Sequence, residues 1–384
     1  MPLGDPSVFV QHTEGDLAER FLADVASNQP GWTVGACLLA TAALAREHTA
    51  RLRRAPGASR RVPHRRPRDR RLHLPFEDRG RGKVDLDYLQ ESDPLVNRGR
   101  FVSDTLRAQV ANGRDILVSP CLIHGLSGGD QELHATVDFA TRASTDQFAR
   151  GRTLLMGLEA TAAIFADKRS RDAMIDEVVE ADLDLPVYLR MTIDAPESRR
   201  PYGEADALVG LREAVEALAA NGIDVVLPQM GLCGWLFLPF GARSFGAGPR
   251  SSMDRNLRPV AGGRGGGGAA PLHWYFVPEL LGPVLAEELP GLAAEGVTSC
   301  SCPYCTATPP LGGPAFDARA AELHYLWWCA YLADEVRQAG DPTAPVRDRV
   351  EAAQQLWQRV RVAQVPLDSR SSETHLAAWS AAVA

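Results

Sequence analysis

The sequence predicts an α/β protein built on a parallel sheet. From Phe101 onward, apolar strand-like runs alternate with amphipathic helical runs. That rhythm implies parallel strands with both faces covered. Apolar residues make up 45% of the 384, enough to fill a sizeable core. A third observation lies near the C-terminus. Cys300-Ser-Cys302-Pro-Tyr-Cys305 gathers three of the seven cysteines within six residues, and eighteen residues then separate Cys305 from His324.

Taken in order, residues 14–26 carry apolar positions at helical spacing, and 34–53 are dominated by Ala and Leu, so both read as helices. Residues 55–71 are rich in Pro and Arg and read as an exposed loop. Residues 101–112 are helical and stop at Gly113. The strands that follow are 115–123, 153–158, 186–193 and 223–230, with shorter ones at 244–247 and 274–277. Helices over 133–142, 171–181 and 205–220 separate the first four, and Asn221-Gly222 closes the last of these helices. Six strands result. A complete barrel would draw two more from 72–76 and the N-terminal region, whereas a doubly wound sheet fits the same periodicity. Residues 321–336 form a helix that carries His324.

Thiolate sulfur and neutral imidazole are the ligands of a tetrahedral structural zinc. Cys300, Cys302, Cys305 and His324 are therefore the expected metal ligands. Cys329, five residues beyond His324, faces another side of the same helix and is expected in the core. Cys37, Cys121 and Cys233 sit among apolar neighbours. An odd cysteine count with three clustered argues against a secreted disulfide framework. With a polar, acidic opening and no long apolar run free of Pro and Gly, a soluble cytoplasmic protein is expected.

The net charge is −7, but residues 51–71 hold ten Arg and one Asp, a local +9 that leaves −16 elsewhere. An arginine-rich arm of this kind attracts polyanions without reading sequence; Arg60, Arg61, Arg65 and Arg66 are its candidate nucleic-acid contacts. The plainer reading of the segment is a solvated loop. The 127–130 loop follows a strand and precedes a helix, where an anion can bind. His124 and His134 flank it and suggest a second metal site, against the ordinary reading as hydrogen-bonding residues. No G-x-S-x-G, H-E-x-x-H or dinucleotide fingerprint is present.

The C-x-C-x-x-C run followed by a helical His resembles the zinc site of the tRNA-guanine transglycosylase family, over the last third of the chain and loosely over the middle. The resemblance implies a TIM-type (β/α) barrel, incomplete or irregular, with a C-terminal zinc-binding subdomain. The organisation would be an N-terminal helical segment (1–54), an Arg/Pro-rich exposed loop (55–83), the barrel (84–290), and the zinc-binding subdomain with C-terminal helices (291–384). It implies a structural zinc, tRNA or DNA as partner, and base exchange at guanine or 7-deazaguanine, with a homodimer among the open oligomeric states. The family attacks the ribose with one aspartate and uses a second as acid/base. Asp194, at a strand end, and Asp254, on a later loop, are the candidates here. Laid on 240–248, the family's nucleophile position falls near Gly246, which carries no nucleophile. A non-catalytic relative that binds nucleic acid or another partner is therefore the alternative.

Overall fold

The computed structural model describes residues 8–12, 17–29, 31–32, 34–39, 61–64, 95–111, 116–126, 130–193, 203–248, 273–297, 300–307 and 316–384. The strands in chain order are β1 (Val8–His12), β2 (Val34–Leu39), β3 (Arg61–His64), β4 (Ile116–Val118), β5 (Ile123–His124), β6 (Thr153–Thr161), β7 (Val187–Thr192), β8 (Val225–Leu227), β9 (Ala242–Ala247), β10 (Trp274–Val277) and β11 (Gly282–Leu285). The helices are α1 (Leu17–Asn28), α2 (Arg98–Ala111), α3 (Gln131–Thr145), α4 (Ala162–Ala166), α5 (Lys168–Glu180), α6 (Ala205–Ala220), α7 (Leu289–Ala293), α8 (Pro303–Ala307), α9 (Ala318–Gln338), α10 (Thr343–Val362) and α11 (Thr374–Val383).

The main sheet is parallel and curled, in the order β3-β2-β1-β9-β8-β7-β6-β4, with β5 paired to β6 beyond the end of β4. Each neighbour in that order is the next strand of the chain, except where β1 meets β9 and where β6 meets β4 past the short β5, so the sheet wraps around on itself. Its two edge strands, β3 and β4, approach within 8 Å between Cα atoms. The fold is thus a mixed α/β structure on a partly closed parallel sheet.

Alternation along each strand sorts the side chains between two environments. Val8, Val10, Met156, Leu158, Val187, Leu189, Val225 and Leu227 join the helices in one large core. Phe9, Ile116, Val118, Leu155, Tyr188 and Val226 form a separate cluster on the opposite face. The large core runs on without a break into α9, α10 and α11. The last of these helices packs on α6, where Arg212 donates to the Ala382 carbonyl at 3.2 Å.

Several elements differ from the sequence reading. Residues 34–39, expected as helix, are the strand β2, paired with β1 and β3. Ala and Leu favour a helix locally, but a segment whose backbone is hydrogen-bonded on both sides follows its partners. β1 is a strand in the N-terminal region, from which a complete barrel would draw one, although its five residues carry too little periodicity to place it from the sequence. Within the expected loop, Arg61–His64 pairs with β2 along one side. Pro63 is tolerated there because an edge strand has donors to spare. The 115–123 run is two short strands, with Ser119-Pro120 between them. Trp274–Val277 is a strand, but it pairs antiparallel with β11, outside the parallel sheet. The extra strands of that sheet are therefore N-terminal; residues 72–76 lie outside the described ones.

Candidate metal centre

The loop-and-helix segment 300–307 brings Cys300, Cys302 and Cys305 against the second turn of α9, where His324 points inward. Asp317 caps α9, accepting from the amides of Arg319 and Ala320, which fixes the start of the helix and the phase of His324. One ligand atom from each of the four residues lies within 4.8 Å of every other. His324 Nδ1 is 3.6 Å from Cys300 Sγ, 3.3 Å from Cys302 Sγ and 3.2 Å from Cys305 Sγ. A tetrahedral zinc with ordinary Zn–S and Zn–N lengths would separate sulfur from nitrogen by about 3.5 Å. The donor set fits that ion in both chemistry and spacing.

The surroundings orient the donors. His324 Nε2 lies 2.8 Å from the Phe276 carbonyl, which can only accept, so Nε2 carries the proton and Nδ1 presents its lone pair to the sulfurs. Tyr275 stacks on the imidazole with centroids 4.5 Å apart, and its hydroxyl lies 3.0 Å from Cys305 Sγ. The amides of Cys302 and Cys305 donate to the sulfurs of Cys300 and Cys302, each at 3.4 Å, and Trp328 Nε1 donates to Cys300 Sγ at 3.3 Å. Such donors stabilise thiolates. Hydrogen bonds from Cys302 and Cys305 hold the Cys300 thiol well below the usual range. Burial pulls His324 down, but the Cys300 and Cys302 sulfurs outweigh it and raise the imidazole to about 9. Three sulfurs crowded on one imidazole thus attract a proton in the absence of a cation. The site is closed, with four protein ligands, which is the structural rather than the catalytic arrangement.

Cys329 is fully buried in the core, on another side of α9. Among the described residues, no other group of three or more His, Cys, Asp or Glu side chains converges in this way. His124 and His134 do not form a second site. His124 is buried at the end of β5, while His134 pairs with Glu177 across 2.7 Å at the surface of α3. Asp194 and Asp254 lie outside the described residues, as do Arg60, Arg65, Arg66 and residues 127–129. Arg61 opens β3. Gly246 lies in β9, and a Cβ there would meet the Gln229 amide nitrogen at 3.0 Å.

A second buried polar cluster joins Glu159, a candidate from its place at a strand end, to Arg190 and Thr192, a partnership that the sequence reading did not make. Leu155, Gly157 and Glu159 share one face of β6, and Tyr188, Arg190 and Thr192 share the matching face of β7. Glu159 and Arg190 are direct neighbours in the strand register. Going along the strands, this face changes from the apolar Leu155 and Tyr188 to a charged set. Arg190 forms an ion pair with Glu159, and the Thr192 hydroxyl donates to the other carboxylate oxygen at 2.5 Å. Arg190 also reaches Cys121 Sγ at 3.6 Å. Glu159, Arg190 and Thr192 are all buried, at the C-terminal ends of their strands. The available signal was faint: a Glu and an Arg inside otherwise apolar strands.

No family model matches this chain, and no curated protein is significantly similar to it.

Proposed function

We propose that the protein is a zinc-braced (β/α) barrel of the tRNA-guanine transglycosylase kind, which binds or exchanges a guanine-type base in nucleic acid. The observation that carries this reading is the convergence of Cys300, Cys302, Cys305 and His324 beside a parallel sheet of sequential strand order. The family's zinc site has the same ligand types in the same sequence order at the C-terminal end of a barrel. The near approach of β3 and β4 supports closure into eight strands. When bound, zinc would brace the segment 300–307 against α9 and would take no part in the chemistry.

In a barrel, substrate lies at the C-terminal strand ends. Glu159, Arg190 and Thr192 then underlie the site, and Asp194 follows Thr192 by two residues in the sequence. Asp194 would serve as acid/base on the departing base, and Asp254 would supply the nucleophile. The basic 51–71 segment would contribute phosphate attraction.

The test is incorporation of labelled guanine into tRNA and into duplex DNA by the zinc-loaded protein, with Asp194→Ala and Asp254→Ala beside it. Exchange abolished by either substitution supports the catalytic reading. The position of Gly246 favours a second one. A carboxylate there would press on the Gln229 backbone, so the family's nucleophile position does not admit an aspartate without a shift. A barrel that retains recognition without exchange would bind nucleic acid, lose affinity with added salt, and show no exchange in either substrate. Binding that is indifferent to salt and to replacement of Arg60, Arg65 and Arg66 by Gln would eliminate both readings.

A further inference from the structure

We propose that the thiol cluster is a peroxide-sensitive latch, in which Cys300 is oxidised first, forms a disulfide with Cys302 or Cys305, and releases the metal. The proposal rests on the metal site alone and not on base exchange.

The four ligands are unequally protected. Cys302, Cys305 and His324 are buried, at 5%, 6% and 0% exposure, whereas Cys300 is only partly covered. Its cover on the α9 side is the half-buried indole of Trp328, whose Nε1 donates to the sulfur. Bound to a metal, all three cysteines are thiolates, so access decides which meets an oxidant first. Cys300 has that access, and two further sulfurs stand within 4.8 Å of it. Cys121, Cys233 and Cys329 are buried.

The chemistry balances with one molecule of hydrogen peroxide. The Cys300 sulfur attacks a peroxide oxygen, the O–O bond breaks, and the departing hydroxide takes up a proton to leave as water. The resulting sulfenic acid is attacked by a neighbouring thiolate. The S–O bond breaks, the S–S bond forms, and a second hydroxide is protonated to water. The two sulfurs lose two electrons in total, and the peroxide gains them. Two of the four metal donors are then consumed, and the remaining thiolate and imidazole hold zinc poorly.

The consequence is mechanical. The cluster ties three pieces together: the segment 300–307, helix α9 through His324, and β10 through the Phe276 carbonyl and Tyr275. Tyr304, within the same segment, also reaches Asp24 on α1 at 3.0 Å. Opening the cluster frees 300–307 from α9, while the sheet core of β6 to β9 retains its own packing.

The experiment adds hydrogen peroxide to the full-length, zinc-loaded chain. It follows zinc with a chromogenic chelator, maps thiols by non-reducing peptide mass spectrometry, and then adds dithiothreitol and zinc. The expected result is one zinc released per disulfide, with Cys300 in the bridge, reversal on reduction, and amide exchange raised in 300–307 but not in β6 to β9. Trp328→Ala, which removes the ring that covers Cys300, is expected to release zinc several-fold faster at equal peroxide. Zinc retained in excess peroxide overturns the latch and leaves the metal site standing. So does oxidation that begins at a cysteine outside the cluster, or a Trp328→Ala release rate equal to that of the parent. Absence of metal from the untreated protein overturns the latch and the metal site together.

Discussion

Two buried polar clusters, one among residues of the large core and one on the opposite face of the sheet, solve the problem of buried charge in opposite ways. At the ends of β6 and β7, Glu159 is neutralised by Arg190 and hydrogen-bonded by Thr192. Its charge is balanced from within the chain. At Cys300, Cys302, Cys305 and His324, every contact among the four ligands is between electron-pair donors, and the nearby N–H groups favour thiolates. Nothing among the four supplies a positive charge except a proton on His324. A buried set that neutralises itself is a finished structural element. One that converges only lone pairs is a receptor for a cation.

The comparison breaks first at the metal. Cys302→Ser removes a buried donor from a closed site, so zinc should fall from one per chain to nearly none by elemental analysis. Chelation of the parent protein should produce the same state. Structural zinc contributes folding energy directly, so both should lower the unfolding midpoint, by about 2–4 °C for each kcal/mol lost in a domain of 150–250 residues. A midpoint unmoved by chelation would mean that the four ligands hold no structural ion.

The self-balanced cluster should respond differently. Glu159→Gln leaves the Arg190 charge buried without its counter-charge, a class of change that costs about 3–5 kcal/mol. Replacing both partners, as in Glu159→Leu with Arg190→Met, should cost less than either single change, because the desolvation penalty disappears with the charges. Denaturant unfolding of the two singles and the double measures this coupling. Additive losses would show that the pair is not coupled. Zinc content should stay at the parent value in all three variants.

Thr192→Val tests the smaller member. It keeps the shape of the side chain and removes the hydroxyl that donates to Glu159. The expected loss is about 1–3 kcal/mol, since a charged acceptor loses one of its donors while buried. The same denaturant measurement checks it, and a neutral outcome would assign Glu159 entirely to Arg190.

The two clusters were unequally legible in the sequence. The metal ligands could be read because three lie within six residues and the fourth is fixed by the phase of one helix, so local geometry alone brings them together. Glu159 and Arg190 are 31 residues apart, and only the register of two parallel strands makes them neighbours. Strand register depends on what each face packs against, which no single segment states. The same limit explains the N-terminal strands. β6, β7 and β8 announced themselves through apolar runs preceded by helices, whereas β1 has five residues, β2 is built partly of Ala and Leu, and β3 carries Arg and Pro. Their strand character comes from their neighbours. Closure of the sheet was unreadable for that reason, and only the resemblance of the cysteine motif pointed towards a barrel.

The smallest expected effect separates two buried histidines. His324 is held from both sides: its Nε2 donates to a carbonyl and its Nδ1 faces the thiols. His124 is buried at the end of β5, and its Nδ1 has no hydrogen-bond partner among the described residues. Burial lowers its pKa, and Asp130 and Glu132 only partly oppose this. A folded-state value below the ordinary one of about 6.5 means that the unfolded chain binds the proton more readily. The neutral imidazole therefore favours the fold fully above that ordinary value, and the advantage is lost as the pH falls towards the lowered folded value. His124→Gln should flatten stability between neutral and mildly acidic pH by a fraction of the metal effect, with zinc content unchanged at neutral pH. An acid loss that persists in full in His124→Gln, and vanishes instead in the chelated parent, would assign it to protons competing for the metal ligands.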